Sequence, residues 1–569
     1  MIPTDGPYVL LDDARAVGAS PARLYCDPVE CLTAFTPDQV ASLLDSLRAA
    51  KARGLHVAGF LAYELGTALL PHLGVPDNGL LAWFGLFEQY QELGTDVMQS
   101  SLPDPAGTWL SPLRPDIARS DYRNAFSTVQ DYIAAGDIYQ ANLTFPLSAN
   151  YAGDPLALYA ALRPRAAAGY GGVIWTGEQY YLSFSPELFF ALKDRQVMTK
   201  PMKGTAERRA DLAADAAEVE TLRTDPKQRA ENLMIVDLLR NDLSRVCEAG
   251  SVVVPDLFRV ESYPTVHQMT STVTGILPDS RDAIDVIKAL FPCGSITGAP
   301  KIRAMQIINE VETAPRGIYC GSIGRIDASG DAAFNVAIRT FTLCDQAKTL
   351  SLGLGSGIVA DSDEAAEWAE CLAKGDFAKV DGYGFDLIET MRFEPAHGVA
   401  RLDLHLERMK TSAQTFGFEF DRHGVRNQLH AATFHLDGLS KIRLLLSKSG
   451  AIAIEIRPLT DMSEPWRVAV MSLPVDSADF RLRHKTTDRA FYDDARKRSG
   501  ANEVLFVDKD GFLTEGSITA IFVERDGTLL TPPLTRGALP SVLRRELIEQ
   551  GRAVEAELRA DDLAGKKPW

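Results

Sequence analysis

The sequence predicts a mixed α/β and α+β chain folded as more than one domain. Three observations carry that expectation. The chain has 569 residues, a length that suits about two to four domains. Apolar residues make up 46%, enough to build real cores. Segments with helical spacing alternate with short apolar or alternating runs, so both halves mix helix with extended strand pairing.

Taken in order, the first hundred residues interleave short apolar runs (VAGFLAYELG, LLAWFGLF) with Pro/Gly breaks and read as strands and loops around a core. Tyr122, Phe126, Val129, Tyr132 and Ile133 have helical spacing; the chain then passes Gly136 into the strand IYQANLTFPL. Asp225 is an N-cap and Pro226 the first helical residue of a long helix through DLLRNDLSRVC. Its apolar residues fall on more than one face, which predicts burial. GAPKIRAMQIINEVET starts a helix near Pro300. FNVAIRTF and SLGLGSGIVA read as strands, with the glycines of LGLGSGIV at a strand-to-helix turn. EAAEWAECLAK is helical, with Asp361 and Glu364 resembling a capping box. A boundary falls near 375–383. Beyond it come the strand FDLIETMRF, the amphipathic helix LDLHLERMKTSAQTFGF and the paired strands KIRLLLSKSGAIAIEIRPL. A Ser/Glu/Pro break near 463–465, further strands and a helix from about Pro540 follow.

Composition narrows the function. A net charge of −17 makes nucleic acid a poor partner. No run of 18 residues lacks charge, so no membrane span is expected, and the N-terminus does not read as a signal peptide. Seven cysteines, with no CxxC pair, suit a reducing cytoplasm rather than a disulfide framework or structural zinc.

Several residues carry possible chemistry. Lys203 in TKPMKGT is either an ordinary loop lysine or an amine held where a reaction needs one. Glu367, Glu370 and Lys374 share one helical face, and Glu231 lies on another helix. Glutamates from two helices can hold a hard cation with substrate oxygens completing the shell; from the one helix alone, a solvated charged face explains them better. Gly294, Gly298 and Lys301 stand at a helix start, where backbone N–H groups can bind an anion. Arg339 offers a fork for a carboxylate. His267 reads more readily as a satisfied core histidine.

SFSPELFF, KPMKGT, AENLMIVDLLRNDLSR, the His267 segment, GSITGAPK, NVAIRT and GSGIVADSDEAAEWAECLAK stand in an order that resembles the chorismate-utilising enzymes, over about 120–376. The resemblance implies a large α/β sandwich with antiparallel sheets that binds chorismate and Mg²⁺. Anthranilate-forming members carry alanine at the position of Lys203; the aminodeoxychorismate synthase component I branch carries lysine. By that resemblance Lys203 is a nucleophile at ring carbon 2, Glu187 the general acid for the departing C4 hydroxyl, and Glu231, Glu367 and Glu370 the metal ligands. Arg339, Lys374 and the Thr297–Gly298 backbone would hold carboxylates, with Gln140, His267, Gly355 and Gly357 completing the substrate site. A lysine attacking at neutral pH needs its pKa lowered by about three units, roughly 4 kcal/mol; burial and neighbouring cations can supply that. Gln140 stands where isochorismate-forming relatives have a water-activating lysine, so water is not the expected nucleophile. Met202 replaces a common isoleucine, an apolar swap of little consequence. No GxCxGxQ elbow is present, so ammonia is expected from a separate glutamine amidotransferase.

In the second half, Lys485, Glu515 and a late helix start are the parts of a pyridoxal-phosphate site; by composition alone Lys485 reads as an exposed loop residue. GFDLIETMR, LDLHLERM, HKTTDR, LTEGSITAIF and TPPLTRGALPSVLR resemble the fold-type IV pyridoxal-phosphate enzymes, over 384–545. The resemblance implies that Lys485 binds the cofactor covalently and shuttles protons, that Glu515 pairs with the pyridine nitrogen, and that Arg408 and the backbone of Val542 and Leu543 hold the phosphate. The aminodeoxychorismate lyase activity suits it best, because its substrate is the first half's expected product. Thr519-Ala520 stand where relatives often have Ser-Asn. Relatives also continue past the GKKPW with which this chain ends, so the second pocket is expected to be incomplete.

The expected organisation is 1–115 as the N-terminal part of the first domain, 116–378 as the chorismate-binding part, and 382–569 as a two-subdomain lyase-like α+β domain (about 382–460 and 466–569). The expected function is a cytoplasmic, bifunctional enzyme making 4-aminobenzoate from chorismate and ammonia. The competing reading is an anthranilate- or salicylate-forming synthase with an aminotransferase-like or non-catalytic tail.

Overall fold

The computed structural model describes residues 2–3, 6–70, 79–209, 211–262, 266–379, 384–459 and 466–563. The domain boundary at 380–383, the break at 463–465 and the terminal GKKPW lie outside them. The chain forms two compact units. One comprises Met1–Leu102, Pro112–Ala149 and Leu162–Lys379; the other comprises Pro103–Ser111, Asn150–Ala161 and Val380–Trp569. Sequence patterning marks a change near 380 but not the two earlier stretches that join the second unit.

The first unit is mixed α+β, built on a ten-stranded sheet and on all but the Trp109–Leu110 strand of an eleven-stranded one. The first hundred residues supply strands to both, yet they are not all strand and loop. Pro37–Ala52 is a helix, capped by a Thr36–Gln39 box and burying Val40, Leu43, Leu44 and Leu47. The Thr-Pro-x-Gln start was its sequence signal.

Five elements position the site: strand β1, Gln140–Ala152; strand β2, Met202–Glu207; helix α1, Pro226–Ser244; strand β3, Thr349–Ile358; and helix α2, Glu364–Lys374. Helix α1 starts as expected, with Asp225 accepting from the Gln228 N–H at 2.8 Å and Pro226 in the first turn. Ile235, Val236, Leu239 and Leu243 bury its inner face in the main core. Helix α2 is capped by Asp363, not Asp361: the Asp363 carboxylate accepts from the Ala366 N–H at 3.0 Å, while Asp361 pairs with Lys227 at 2.9 Å. The glycines expected at a turn, Gly353, Gly355 and Gly357, lie within β3.

FNVAIRTF is not one strand. Ala332–Asn335 belongs to the ten-stranded sheet and Thr340–Cys344 to the eleven-stranded one. The chain crosses between sheets here, and Arg339 takes a left-handed φ of 50° at the crossing.

In the second unit, Leu387–Glu394 (strand β4), Ser440–Leu446 and Ile452–Pro458 pair antiparallel beneath helix α3, Leu402–Phe416. Phe385, Phe393, Leu406, Phe416, Trp109 and Ala152 share one core. Strand β5, Glu503–Val507, pairs parallel with Val468–Ser472 and antiparallel with strand β6, Leu513–Gly516. Helix α4, Val542–Glu549, has Ser541 as its N-cap. Among the described residues no helix is long and apolar enough to cross a membrane.

Candidate active sites

Lys203 sits at the end of the ten-stranded sheet, on edge strand β2. Pairing with Val266–Ile276 slips between Met202 and Thr205, and Gly204 takes φ 89°. The expected tight bend is therefore a bulge in an edge strand, a device that re-aims a side chain out of the ladder. A Cβ added to Gly357 would lie 3.2 Å from Lys203 Nζ and 2.4 Å from Gln140 Nε2, so the lysine, the glutamine and the glycine meet at one point. A Cβ on Gly355 would lie 2.7 Å from the Leu143 carbonyl. At both positions β1 or Lys203 comes too close for any side chain, so only glycine lets Gln140 and Lys203 pack against β3. Accordingly, Gly357→Ala is expected to lower kcat/KM at least tenfold while the protein still folds, which kinetics beside a melting curve will check.

Electrostatics single out the same amine. Lys203 makes no hydrogen bond or ion pair among the described residues. Burial pushes its pKa down and Lys374 adds to this, against Glu231, Glu187 and Glu370. Burial lifts Glu187 to about 7, opposed by the Ser295 hydroxyl, which donates to Oε1 at 2.8 Å, and by Lys203. Gln140 is buried and its Oε1 has no partner among the described residues. Arg339 forms no ion pair among the described residues; its guanidinium stands 5.8 Å from the Phe377 ring, and burial lowers its pKa. Its charge is buried without a carboxylate partner among the described residues.

Lys374 Nζ donates to the Gly355 carbonyl at 2.9 Å and pairs with Glu370 at 2.8 Å. Burial tends to raise the Glu370 carboxyl, but Lys374 outweighs it and holds the group below the usual range. Glu231 has no hydrogen-bond partner among the described residues. Burial raises it, and the like charges of Glu367 and Glu370 add to that against Lys203 and Lys227. Glu367 accepts from Ser362 at 2.7 Å. These carboxylates from α1 and α2 thus feel one another. Their oxygen donors are of the type a hard cation takes, although among the described residues no three His, Cys, Asp or Glu side chains are grouped so that they could hold a metal ion.

Other candidates are engaged within the chain. His267 is buried, with Nδ1 2.8 Å from Ser262 Oγ and Nε2 2.9 Å from Asp215. Thr297 donates its hydroxyl to the Cys293 carbonyl, and its own carbonyl accepts from Asn142 N–H. Gly298 has φ 151°, and a Cβ there would lie 2.2 Å from the Gln140 carbonyl. Lys301 is not at an anion site; it pairs with Asp242 at 2.5 Å.

In the second unit, Lys485 is no exposed loop lysine. Burial lowers its amine to about 7, against the attraction of Glu389. Glu515, on β6, is raised by burial to about 7; it accepts from the Tyr492 hydroxyl and from Leu539 N–H at 2.8 Å. Arg408, on α3, forks onto Glu389 at 2.8 and 2.6 Å and reaches the Pro540 carbonyl at 3.1 Å. His405 also donates to Glu389 or shares a proton with it at 2.6 Å. Burial works to raise Glu389, but Arg408 and His405 hold it at about 2. Val542 and Leu543 open α4, in the turn whose N–H groups have no helical acceptor.

Sequence reasoning missed three of these positions. Glu389 lies in the quoted GFDLIETMR, and a glutamate alternating among apolar strand residues was its signal. Glu503 anchors the EGSIT loop by accepting from Ser517 N–H at 2.9 Å and Thr519 Oγ1 at 2.7 Å. Ser295, in GSITGAPK, reaches Glu187 from far along the chain and had no local signal.

Residues 6–379 match the family model described as chorismate binding enzyme. The chain belongs to the chorismate binding enzymes. Residues 386–567 of this chorismate binding enzyme match a second model, amino-transferase class IV, which implies pyridoxal phosphate as that unit's cofactor. Lys485, Glu515 and the start of α4 fit such a group: a buried amine of lowered pKa, a buried carboxyl, and the Val542 and Leu543 N–H groups, which have no partner among the described residues. The chain is 45% identical to aminodeoxychorismate synthase component 1 of Klebsiella aerogenes over 47% of its own length and 59% of that protein. With the Salmonella typhimurium protein of the same name it shares 38% identity, over 56% of this chain and 74% of that one. It thus spans about three fifths to three quarters of these relatives. Among solved structures, anthranilate synthase component I from Streptococcus pneumoniae superposes with a TM-score of 0.56 at 28% identity, covering 64% of this chain and 93% of that one.

Proposed function

We propose that this is a bifunctional enzyme of 4-aminobenzoate formation. The first unit would convert chorismate and ammonia to 4-amino-4-deoxychorismate; the second would convert that product to 4-aminobenzoate and pyruvate. The observation that carries the reading is the desolvated Lys203 amine, without an ion pair among the described residues, packed with Gln140 against Gly357. The names of the relatives support the same choice.

In this mechanism Arg339 and Lys374 receive substrate carboxylates. Glu231, Glu367 and Glu370 would hold a magnesium ion, which supplies positive charge to anchor the substrate. Uncharged Lys203 attacks ring carbon 2. The C4–O bond breaks as Glu187 gives its proton to the departing oxygen, which leaves as water. Ammonia then adds at C4 and expels the lysine, and the proton shed by nitrogen restores Glu187. Gln140 cannot take a proton from water, so hydration does not compete. The ammonia would come from a separate glutamine amidotransferase, and the setting would be cytoplasmic.

In the second unit pyridoxal phosphate, when bound, would supply an electron sink for the bond changes at C4 and at the pyruvate ether. Lys485 would move the C4 proton, Glu515 would pair with the ring nitrogen, and Arg408 with the first turn of α4 would hold the phosphate.

Incubating the protein with chorismate, ammonium and magnesium, with and without pyridoxal phosphate, tests both halves. Aminodeoxychorismate without the cofactor and 4-aminobenzoate with it are expected; anthranilate would overturn the first assignment. The acid role of Glu187 has a sign. Its proton is lost as pH rises through about 7, so turnover should fall on the alkaline side of that value.

A further inference from the structure

Glu187 does not stand alone beside Lys203. Ser295 Oγ donates to its Oε1 at 2.8 Å, and Cys293 Sγ lies 3.2 Å from the same Ser295 oxygen. All three residues are buried. The 3₁₀ turn Gly294–Ile296, with Cys293 as its N-cap, brings the thiol and the hydroxyl together. Ser295 is the one side chain among the described residues that donates to this carboxyl; the Met202 backbone N–H also bonds to it and helps hold its pKa down.

We propose that Cys293 and Ser295 are positioning residues that fix which oxygen of Glu187 carries the acidic proton. The thiol donates to Ser295, Ser295 donates to Oε1, and the proton is left on Oε2. The direction follows from acceptor strength. A thiol sulfur is a weak acceptor, whereas a carboxyl oxygen is a strong one, so the hydroxyl hydrogen points to the glutamate. Burial pushes the Cys293 thiol up to about 12, and so it keeps the hydrogen the chain requires. Of the two carboxyl oxygens, the one already accepting is better left as the carbonyl.

The inference rests on the general-acid reading of Glu187 and adds a function to it. As the C4–O bond breaks, the Oε2 proton passes to the departing oxygen and Glu187 becomes a carboxylate. The Ser295 bond then ends on a charged acceptor and strengthens. The relay therefore stabilises the state that forms during reaction more than the state before it. Other charges face this carboxyl as well: Lys203 from β2, and through it Glu231 from α1 and Glu370 and Lys374 from α2, with Lys301 beyond Cys293. None of them bonds to Oε1.

The test is the pH profile of aminodeoxychorismate formation with ammonium, for the full chain carrying Ser295→Ala, Ser295→Thr, Cys293→Ser or Glu187→Gln. Chorismate binding is measured in parallel to establish that each variant is folded. Losing the donor disfavours the carboxylate, so Ser295→Ala should move the alkaline limb up by roughly half to one pH unit and lower kcat about tenfold. Ser295→Thr and Cys293→Ser, which keep the hydrogens, should restore the wild-type limb. An unmoved limb in Ser295→Ala beside an inactive Glu187→Gln overturns the relay alone. A limb that moves down shows Ser295 accepting rather than donating and overturns it too. Full turnover in Glu187→Gln instead overturns the general-acid reading beneath it.

Discussion

Lys203→Ala abolishes aminodeoxychorismate formation while chorismate still binds. The expected loss in kcat is about a thousandfold or more, roughly 4 kcal/mol of barrier, because a covalent route is removed rather than a contact weakened. Among the described residues the amine has no hydrogen-bond or ion-pair partner that its removal would leave unpaired, so stability should change little. Equilibrium binding of chorismate beside single-turnover product analysis checks both halves of the claim. Retained turnover would place the reaction on direct ammonia attack. The pH sign is opposite to that of Glu187: burial lowers the lysine's pKa, so deprotonation on the acid side switches the nucleophile on as pH rises. The two groups together predict a bell-shaped profile whose limbs belong to the pair.

Lys485→Ala abolishes 4-aminobenzoate formation in the second unit and leaves the first product to accumulate. The wild-type protein with pyridoxal phosphate should show a visible absorption band that the variant lacks. The expected fall in lyase turnover is again on the order of a thousandfold. Because burial sets this amine near 7, cofactor uptake should accelerate as pH rises through that value. A variant that keeps the band would move the attachment to another residue. A wild-type protein with no band would make the second unit a non-catalytic module.

Much of this was legible in the sequence, for physical reasons. Long segments announced themselves by period and cap: α1 by Asp225 and Pro226, α3 by its amphipathic spacing. The Lys203, Glu187 and Lys485 positions were carried by ordered motifs, and each is placed where its amine or carboxyl is buried. What escaped depends on tertiary context. The crossing at Arg339 divides what reads as one apolar run, because its two halves join different sheets. The glycines of β3 look like turn residues until β1 and Lys203 crowd against them. Lys301 carries suggestive chemistry in sequence, yet Asp242 satisfies it in the fold, whereas His267 is buried and bonded to Asp215, as a core histidine reads. Ser295 and Glu187 are 108 positions apart, beyond any local pattern.

The second unit takes Trp109 and Ala152 into the same apolar cluster as Phe385 and Phe416, with the Trp109 and Phe416 rings 5.0 Å apart. Its gene segment is therefore interrupted, and one restriction cut cannot release it intact. A clone beginning at 384 would encode a domain with a missing tile in its interior, prone to clump on the ribosome's output side. Any dissection of the two chemistries is better done by point inactivation in the full-length polypeptide than by truncation.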